Sequence, residues 1–396
     1  MTATPRVVVQ AGRAKPFFSR HPWVFAGAIA ELQGEPADGA EVDLVSHTGT
    51  FIARGLYNGQ SKVRVRLYSW QPDQPLDGSF WRERLRAAWR LRQDLGLLDP
   101  EGACRLVNSE GDGLSGLTVD RYRDWLCVQF TSLAMAQRRE LLADLLQELT
   151  GCVGIYLRTE KGVGQLEGLT ISDGPLRGSM PPPLLEFQEA GLTLAIHLAQ
   201  GQKTGYYLDQ RDNRQVVAGL ARGRRVLDAF CYSGGFGLRA AQAGAREVLG
   251  LDGSEAALAL ARHNAQRNAL EQITFQRAEV FDELERLEKD QQRFGLVVLD
   301  PPKFARAKSG IDEALRGYRR LLSLAMRLLE PESFLVMCCC SGRITGEMIE
   351  SLLAQVGVDQ RREVQLIERR GPGADHPVMV SCPESHYLKC LISRVR

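Results

Sequence analysis

The sequence predicts an α/β protein whose C-terminal half is a doubly wound parallel sheet, preceded by a small β-rich segment and a central α+β segment. Three observations carry this. From residue 224 onward, short apolar runs alternate with helix-length stretches, the pattern of strands and crossover helices around a parallel sheet. Residues 1–75 hold short strand-like runs separated by Gly, Asn and Pro. Between the two, Pro181, Pro182 and Pro183 stand in succession; they can continue neither a helix nor a central strand, and so mark a boundary. The expected division is 1–75, 76–187 and 188–396.

Length and composition agree with that division. At 396 residues, 44% hydrophobic and 25% charged, the chain can bury more than one core. No apolar run reaches membrane-span length, and the N-terminus has neither the apolar core nor the cleavage site of a secretory signal, so no membrane partner and a cytoplasmic location are expected. Nine cysteines, an odd count without a Cys-x-x-Cys pair, and six dispersed histidines give neither a disulfide framework nor a structural zinc site. No metal is expected. The net charge of +2 makes no global case for nucleic acid, so any such case must be local.

Taken in order, "RVVVQ", "AEVDLVS", "TFIARGLY" and "KVRVRLYSW" read as strands of the β-rich segment. Its first 25 residues carry Arg6, Arg13, Lys15 and Arg20 and no acid, with Phe17, Phe18, His21 and Trp23 interleaved. Cations beside stacking rings suit an RNA surface; a solvated face over core aromatics fits equally well. In the central segment, Trp81, Leu85, Ala88 and Trp89 fall at helical spacing, and the arginines between them read as solvated. Two strand-like runs around Gly-rich turns follow, then the helix-like "MAQRRELLADLLQELT" and the strand-like "VGIYLRTE".

In the last segment, a parallel sheet binds its ligand beyond the carboxyl ends of its strands. Those ends carry Asp228, Asp252, Asp300 and the run Cys338, Cys339, Cys340. After the first strand, Ser233, Gly234, Gly235 and Gly237 let the backbone approach a ligand closely. Asp252 is well placed for the two hydroxyls of a ribose. A dinucleotide would need its glycines immediately after the strand, so that pyrophosphate meets the helix N-terminus; here five residues intervene after Asp228. That loop suits a cationic nucleoside without pyrophosphate, and S-adenosylmethionine is such a cofactor.

Asp300-Pro301-Pro302-Lys303-Phe304 places an acid on a stiff loop with a ring that could stack on a base. Loops of this kind resemble those of methyltransferases acting on exocyclic amines, which have no use for a thiol. Carbon 5 of cytosine does have one: a thiolate adding to C6 pushes electron density onto C5, and an acid near N3 neutralises the charge that appears. In a strand, Cys338 and Cys340 share a face, and Cys340 lies nearest the edge, which makes it the candidate nucleophile with Asp300 beside it. Cys338 and Cys339 read as packing residues. A nitrogen methyltransferase acting on guanine, a non-catalytic RNA-binding assembly factor and a dehydrogenase remain as alternatives.

The stretches "AGRAKPFFSRHPWVFAGAI", "GDGLSGLTVDRY", "GQKTGYYLDQRDNR", "LDAFCYSGGFG", "VVLDPPKF" and "CCCSG", taken as a spaced set, resemble the bacterial ribosomal RNA large subunit methyltransferase I family, which methylates cytosine C5 in 23S rRNA. The resemblance implies an N-terminal PUA domain, a central α+β domain and a Rossmann-like methyltransferase sheet ending in an antiparallel hairpin of "VQLIERR" and "HYLKCLISRV". It implies that Tyr207, Arg211, Asp228, Phe230, Gly234, Asp252, Glu279 and Asp300 surround S-adenosylmethionine, that Lys303 and Phe304 meet the base, and that Cys340 is the nucleophile. Ser233 joins the cofactor set, and Arg13, Lys15 and Arg20 the RNA-binding set. The partner implied is 23S rRNA or a large-subunit precursor, and a homodimer is left open.

Overall fold

The structure is a computed structural model that describes residues 4–160, 162–199, 204–304 and 310–396. Gly201, Gln202 and Lys203 of the "GQKTGYYLDQRDNR" motif lie outside the described residues. The chain forms two compact units. The first runs through Phe187 and takes in His197–Tyr206 and Ala374–Ser385; the second comprises Gln188–Ile196, Tyr207–Gly373 and His386–Arg396.

The first unit begins with β1 (Arg6–Val9), the one-turn α1 (Lys15–Phe18), β2 (Trp23–Phe25), β3 (Ile29–Gln33), β4 (Glu41–Val45), β5 (Phe51–Tyr57) and β6 (Val63–Ser69). These strands form a sheet in the order β2-β6-β5-β4-β1-β3, with β1 and β4 parallel and the remaining neighbours antiparallel. Alternate residues such as Val7, Val9, Val42, Leu44, Val65 and Leu67 fill its core, as a period of two requires.

Then α2 (Gly78–Asp94) starts at Asp77, whose carboxylate accepts the Phe80 N–H at 3.0 Å. It precedes β7 (Ala103–Asn108), β8 (Leu117–Tyr122), β9 (Trp125–Phe130), α3 (Leu133–Gln137), α4 (Arg139–Thr150), β10 (Gly154–Leu157), α5 (Val163–Glu167) and β11 (Gly174–Gly178). The second sheet runs β11-β10-β9-β8-β7. Its core takes in Trp81, Leu85 and Ala88 from α2 together with Leu56 and Tyr68 from the first sheet, so the two layers close on one another. Two basic side chains of α2 are not solvated: half-buried Arg84 donates to the Tyr68 carbonyl at 2.9 Å, and fully buried Arg92 pairs with Asp112.

The hairpin β12 (Leu185–Glu189) and β13 (Leu192–Ile196) turns through Ala190 and Gly191, both at positive φ, as a two-residue type I′ turn needs. The second unit continues with α6 (Arg211–Gly219), β14 (Arg225–Ala229), α7 (Gly235–Gln242), β15 (Glu247–Asp252), α8 (Glu255–Arg267), β16 (Ile273–Arg277), α9 (Val280–Lys289), β17 (Phe294–Leu299), α10 (Ile311–Leu328), β18 (Leu329–Cys339), α11 (Gly346–Asp359), β19 (Val364–Arg370) and β20 (Lys389–Val395). The seven strands are ordered β16-β15-β14-β17-β18-β20-β19. The first five are mutually parallel, and β20 is antiparallel to both of its neighbours. All six residues of β17 are buried, which a parallel strand with helices on both faces demands.

Register fixes the functional edge. Leu251, Ala229, Leu299 and Met337 form one row across β15, β14, β17 and β18. Asp252, Phe230, Asp300 and Cys338 are therefore each one step beyond that row.

Candidate active site at the carboxyl edge of the sheet

The loop after β14 is built under strain. Phe230, Tyr232 and Gly234 all have left-handed backbones, at φ 65°, 49° and 83°; for the first two this costs free energy and is a feature that clusters at functional sites. Gly234 has no alternative, since a Cβ there would come within 2.8 Å of the Phe275 ring. The strained path lets the Tyr232 N–H reach Asp252 Oδ2 at 2.9 Å, while Ser254 N–H bonds Oδ1 at 2.8 Å. The Asp252 carboxylate is thereby held with further lone pairs for hydroxyl donors.

Asp228 is buried. Its Oδ2 accepts the Gly237 N–H at 2.7 Å, but Oδ1 has no partner among the described residues. Burial, with Asp300 and Asp252 adding negative charge nearby, pushes its carboxyl up to about 7. Ser233 Oγ is also buried without a partner among the described residues. Two orphaned polar atoms beside a loop that glycine keeps open fit a polar cationic ligand such as S-adenosylmethionine.

Tyr207 sets its ring edge-on to Tyr232, 5.2 Å between centroids, and burial raises its hydroxyl pKa. Arg211 lies 3.9 Å from Glu189, which Arg214 holds more closely at 2.8 Å. Glu279 is exposed and caps α9 through the Asp282 N–H.

The next two strand ends carry the candidate acid and the candidate thiol. Asp300 N–H bonds the Ala229 carbonyl at 3.3 Å, and its Oδ2 accepts from Gln210 Nε2 at 3.1 Å. Gln210 Oε1 in turn accepts from Asn213 at 2.6 Å, and Asn213 Oδ1 from Arg370 Nε at 3.0 Å. This relay fixes which way the Gln210 amide points. Pro301 is buried, Pro302 and Lys303 are exposed, and Phe304 packs on Tyr318 with centroids 4.7 Å apart.

β18 ends at Cys339, so Cys340 stands just past the strand. Cys338 pairs across to Cys390; its hydrogen bond with that thiol, and then burial, raise its pKa well above the usual range. Cys339 Sγ lies 3.3 Å from the Tyr318 hydroxyl. Cys338 and Cys339 are buried, whereas Cys340 is half-buried. Burial is the main cause of the raised hydroxyl pKa of both Tyr207 and Tyr318, and both also respond to Asp300 and Cys340. Acid and thiol therefore share one electrostatic neighbourhood. Gln210, Tyr318 and Lys389, whose ammonium donates to the Ser341 carbonyl at 2.9 Å, escaped the sequence reading because their partners are remote in the chain.

Arg13, Lys15 and Arg20 belong to the first unit and are exposed; Lys15 opens α1 and the two arginines flank it. Phe18 beside them is 53% exposed, while Phe17 is in the core and the Trp23 indole donates to Glu110 at 2.9 Å. Of the four rings interleaved with these cations, Phe18 is the exposed one.

Among the described residues one set of metal-ligating types converges, His21, Cys382 and Glu384. His21 Nδ1 accepts the Trp23 N–H at 3.2 Å, so the neutral ring carries its proton on Nε2, facing Glu384 at 3.3 Å. The Cys382 thiol donates to the same carboxylate at 3.6 Å; burial and nearby carboxylates push it up to about 12. This is a carboxylate held by two donors, with its imidazole lone pair already used.

The PUA-like domain family matches residues 7–70, and the S-adenosylmethionine-dependent methyltransferase family matches residues 177–377. A protein of Erwinia tasmaniensis named ribosomal RNA large subunit methyltransferase I is 41% identical over 99% of this chain and 100% of its own length. One of the same name from Escherichia coli is 38% identical over 98% and 99%. Two solved structures superpose with TM-scores of 0.85 and 0.86 at 20% identity, over 98% of this chain and 99% of each. One is from Streptococcus mutans and described as a SAM-dependent methyltransferase; the other is described as a methyltransferase complexed with SAH. These two likenesses bear on the fold.

Proposed function

The chain belongs to the ribosomal RNA large subunit methyltransferase I family and is an S-adenosylmethionine-dependent rRNA methyltransferase; on that premise we propose that it methylates C5 of one cytosine in 23S rRNA, or in a large-subunit precursor, through a covalent adduct on Cys340. The observation that supports this most is the pair of neighbouring parallel strand ends, one leading into Asp300 and the other into Cys340.

Bound S-adenosylmethionine supplies an electrophilic methyl group. Asp228 and Ser233 offer buried acceptors to its polar groups, Asp252 receives its ribose hydroxyls, and Tyr207, Arg211, Phe230, Gly234 and Glu279 border it. Lys303 and Phe304 meet the target base, which must be extruded or already unpaired to reach the pocket. The Cys340 thiolate adds to C6, forming a carbon–sulfur bond, and the ring π pair moves to C5. A proton taken up at N3 offsets the negative charge that develops on the ring, and the Asp300 carboxylate holds that N–H by hydrogen bond. C5 would then take the methyl as the donor's sulfur–methyl bond breaks and its electron pair stays on sulfur, leaving a neutral thioether; loss of the C5 proton to a base and expulsion of the thiolate restore the ring.

Arg13, Lys15 and Arg20 contribute to holding the RNA from the β-rich segment. The same reading keeps the division 1–75, 76–187 and 188–396, and a cytoplasmic location.

Replacing Cys340 by Ala is expected to abolish methylation and leave cofactor affinity, measured by calorimetry, near that of the parent. Retained turnover, or a methyl found on a guanine nitrogen when the nucleosides are analysed by mass, rejects the assignment.

A further inference from the structure

A free thiol is only a few per cent ionised at neutral pH. The neighbouring parallel strand leads into the acid Asp300, while the Tyr207 and Tyr318 hydroxyls, whose pKa burial raises, are neutral and bring no charge. A nearby negative charge disfavours a thiolate, so a working nucleophile there needs an opposing cation.

The sheet supplies one. Lys389 is the first residue of β20 and sits directly opposite Cys339 in the antiparallel register. Its half-buried ammonium donates to the Ser341 carbonyl at 2.9 Å and to the Tyr387 carbonyl at 3.1 Å. Lys389 thus grips the chain on both sides of the thiol, at Cys339 by strand pairing and at Ser341 by hydrogen bond. An ammonium has three N–H donors, and these two carbonyls use two of them.

Resting on the assignment of Cys340 as nucleophile, we propose that Lys389 is its positioning residue: it fixes the turn that carries the thiol and pairs with the thiolate before the pyrimidine is attacked. The thiol proton leaves to solvent, and the anion formed is balanced by the ammonium already in place. Burial lowers the lysine's own pKa, while Cys339, Cys340 and the exposed Glu347 on α11 act to raise it.

The test follows the pH at which Cys340 reacts with iodoacetamide, read by peptide mapping on the intact chain. The other eight cysteines are buried. In Lys389→Met, and in Lys389→Gln, which keeps amide donors for the carbonyls without the charge, the alkylation midpoint is expected to rise by about one pH unit. That corresponds to a roughly tenfold smaller thiolate fraction at neutral pH. The accompanying loss in kcat should shrink as pH is raised, with cofactor affinity by calorimetry unchanged. Lys389→Arg should keep the midpoint near that of the parent.

An unshifted midpoint in variants that still bind cofactor overturns the inference and leaves the role of Cys340 standing. Turnover retained in Cys340→Ala would instead overturn the nucleophile while leaving the alkylation result as measured.

Discussion

Asp228 is where burial and charge are most directly opposed. Burial, which leaves Oδ1 stranded in the interior, pushes its carboxyl up to about 7 although the Gly237 N–H on Oδ2 acts to lower it. For an acid whose folded pKa lies above its unfolded one, stability is fully present below the unfolded value and is lost as pH rises through the folded one. The window here runs from about pH 4 to about pH 7, and the cost above it is of order a few kcal/mol. Asp228→Asn should therefore raise the melting temperature of the cofactor-free protein, with a gain near zero at the acid end that grows through that window, and should weaken cofactor affinity. A gain that is constant across the window contradicts the assignment. The acid itself was legible as the end of an apolar run. Gln210 was not, since its bond to Asp300 spans 90 residues and no local pattern announces it.

Among the elements, β15 shows how the sheet shapes the site. A Cβ at Gly250 would come within 2.5 Å of the Phe275 ring on β16 and 3.2 Å of Cys231 Sγ in the ligand loop. Valine is the better strand former, but that preference spans only about 1 kcal/mol, whereas forcing atoms into a filled space costs about 1–3 kcal/mol. Gly250→Val should lower the thermal midpoint and weaken cofactor binding as the Cys231 loop is displaced; an unchanged midpoint would show that Phe275 yields freely. The alternation of apolar runs and helix-length stretches made β14, β15, β17 and β18 readable, because each is covered on both faces. Their carboxyl ends therefore singled out Asp252, Asp300 and Cys340 as candidates. The pairing of Cys339 with Lys389 was not readable: β20 is last in sequence yet inserts between β18 and β19, and its register depends on the whole sheet.

For the whole molecule, sequence order and the division into units part company at His197–Tyr206 and again near the C-terminus. Ala374–Ser385 belongs with the first compact unit although its flanking residues belong with the second, and the buried guanidinium of Arg92 donates to the Asp375 carbonyl at 2.7 Å, 283 residues away. Nothing in composition marks that excursion. The exposed cations Arg13, Lys15 and Arg20 with Phe18 were readable as a local charge bias in a chain of net charge +2, and they suit a phosphate backbone and a stacked base. The account as a whole turns on a sulfur–carbon bond to the base. Its most direct test is to offer the protein, with S-adenosylmethionine, rRNA transcribed with 5-fluorocytidine, where fluorine replaces the proton that must leave from C5. The account predicts a protein–RNA adduct that survives denaturation, carries the transferred methyl group and maps to Cys340. Efficient methylation of ordinary rRNA with no such adduct, or an adduct on a different residue, would contradict it.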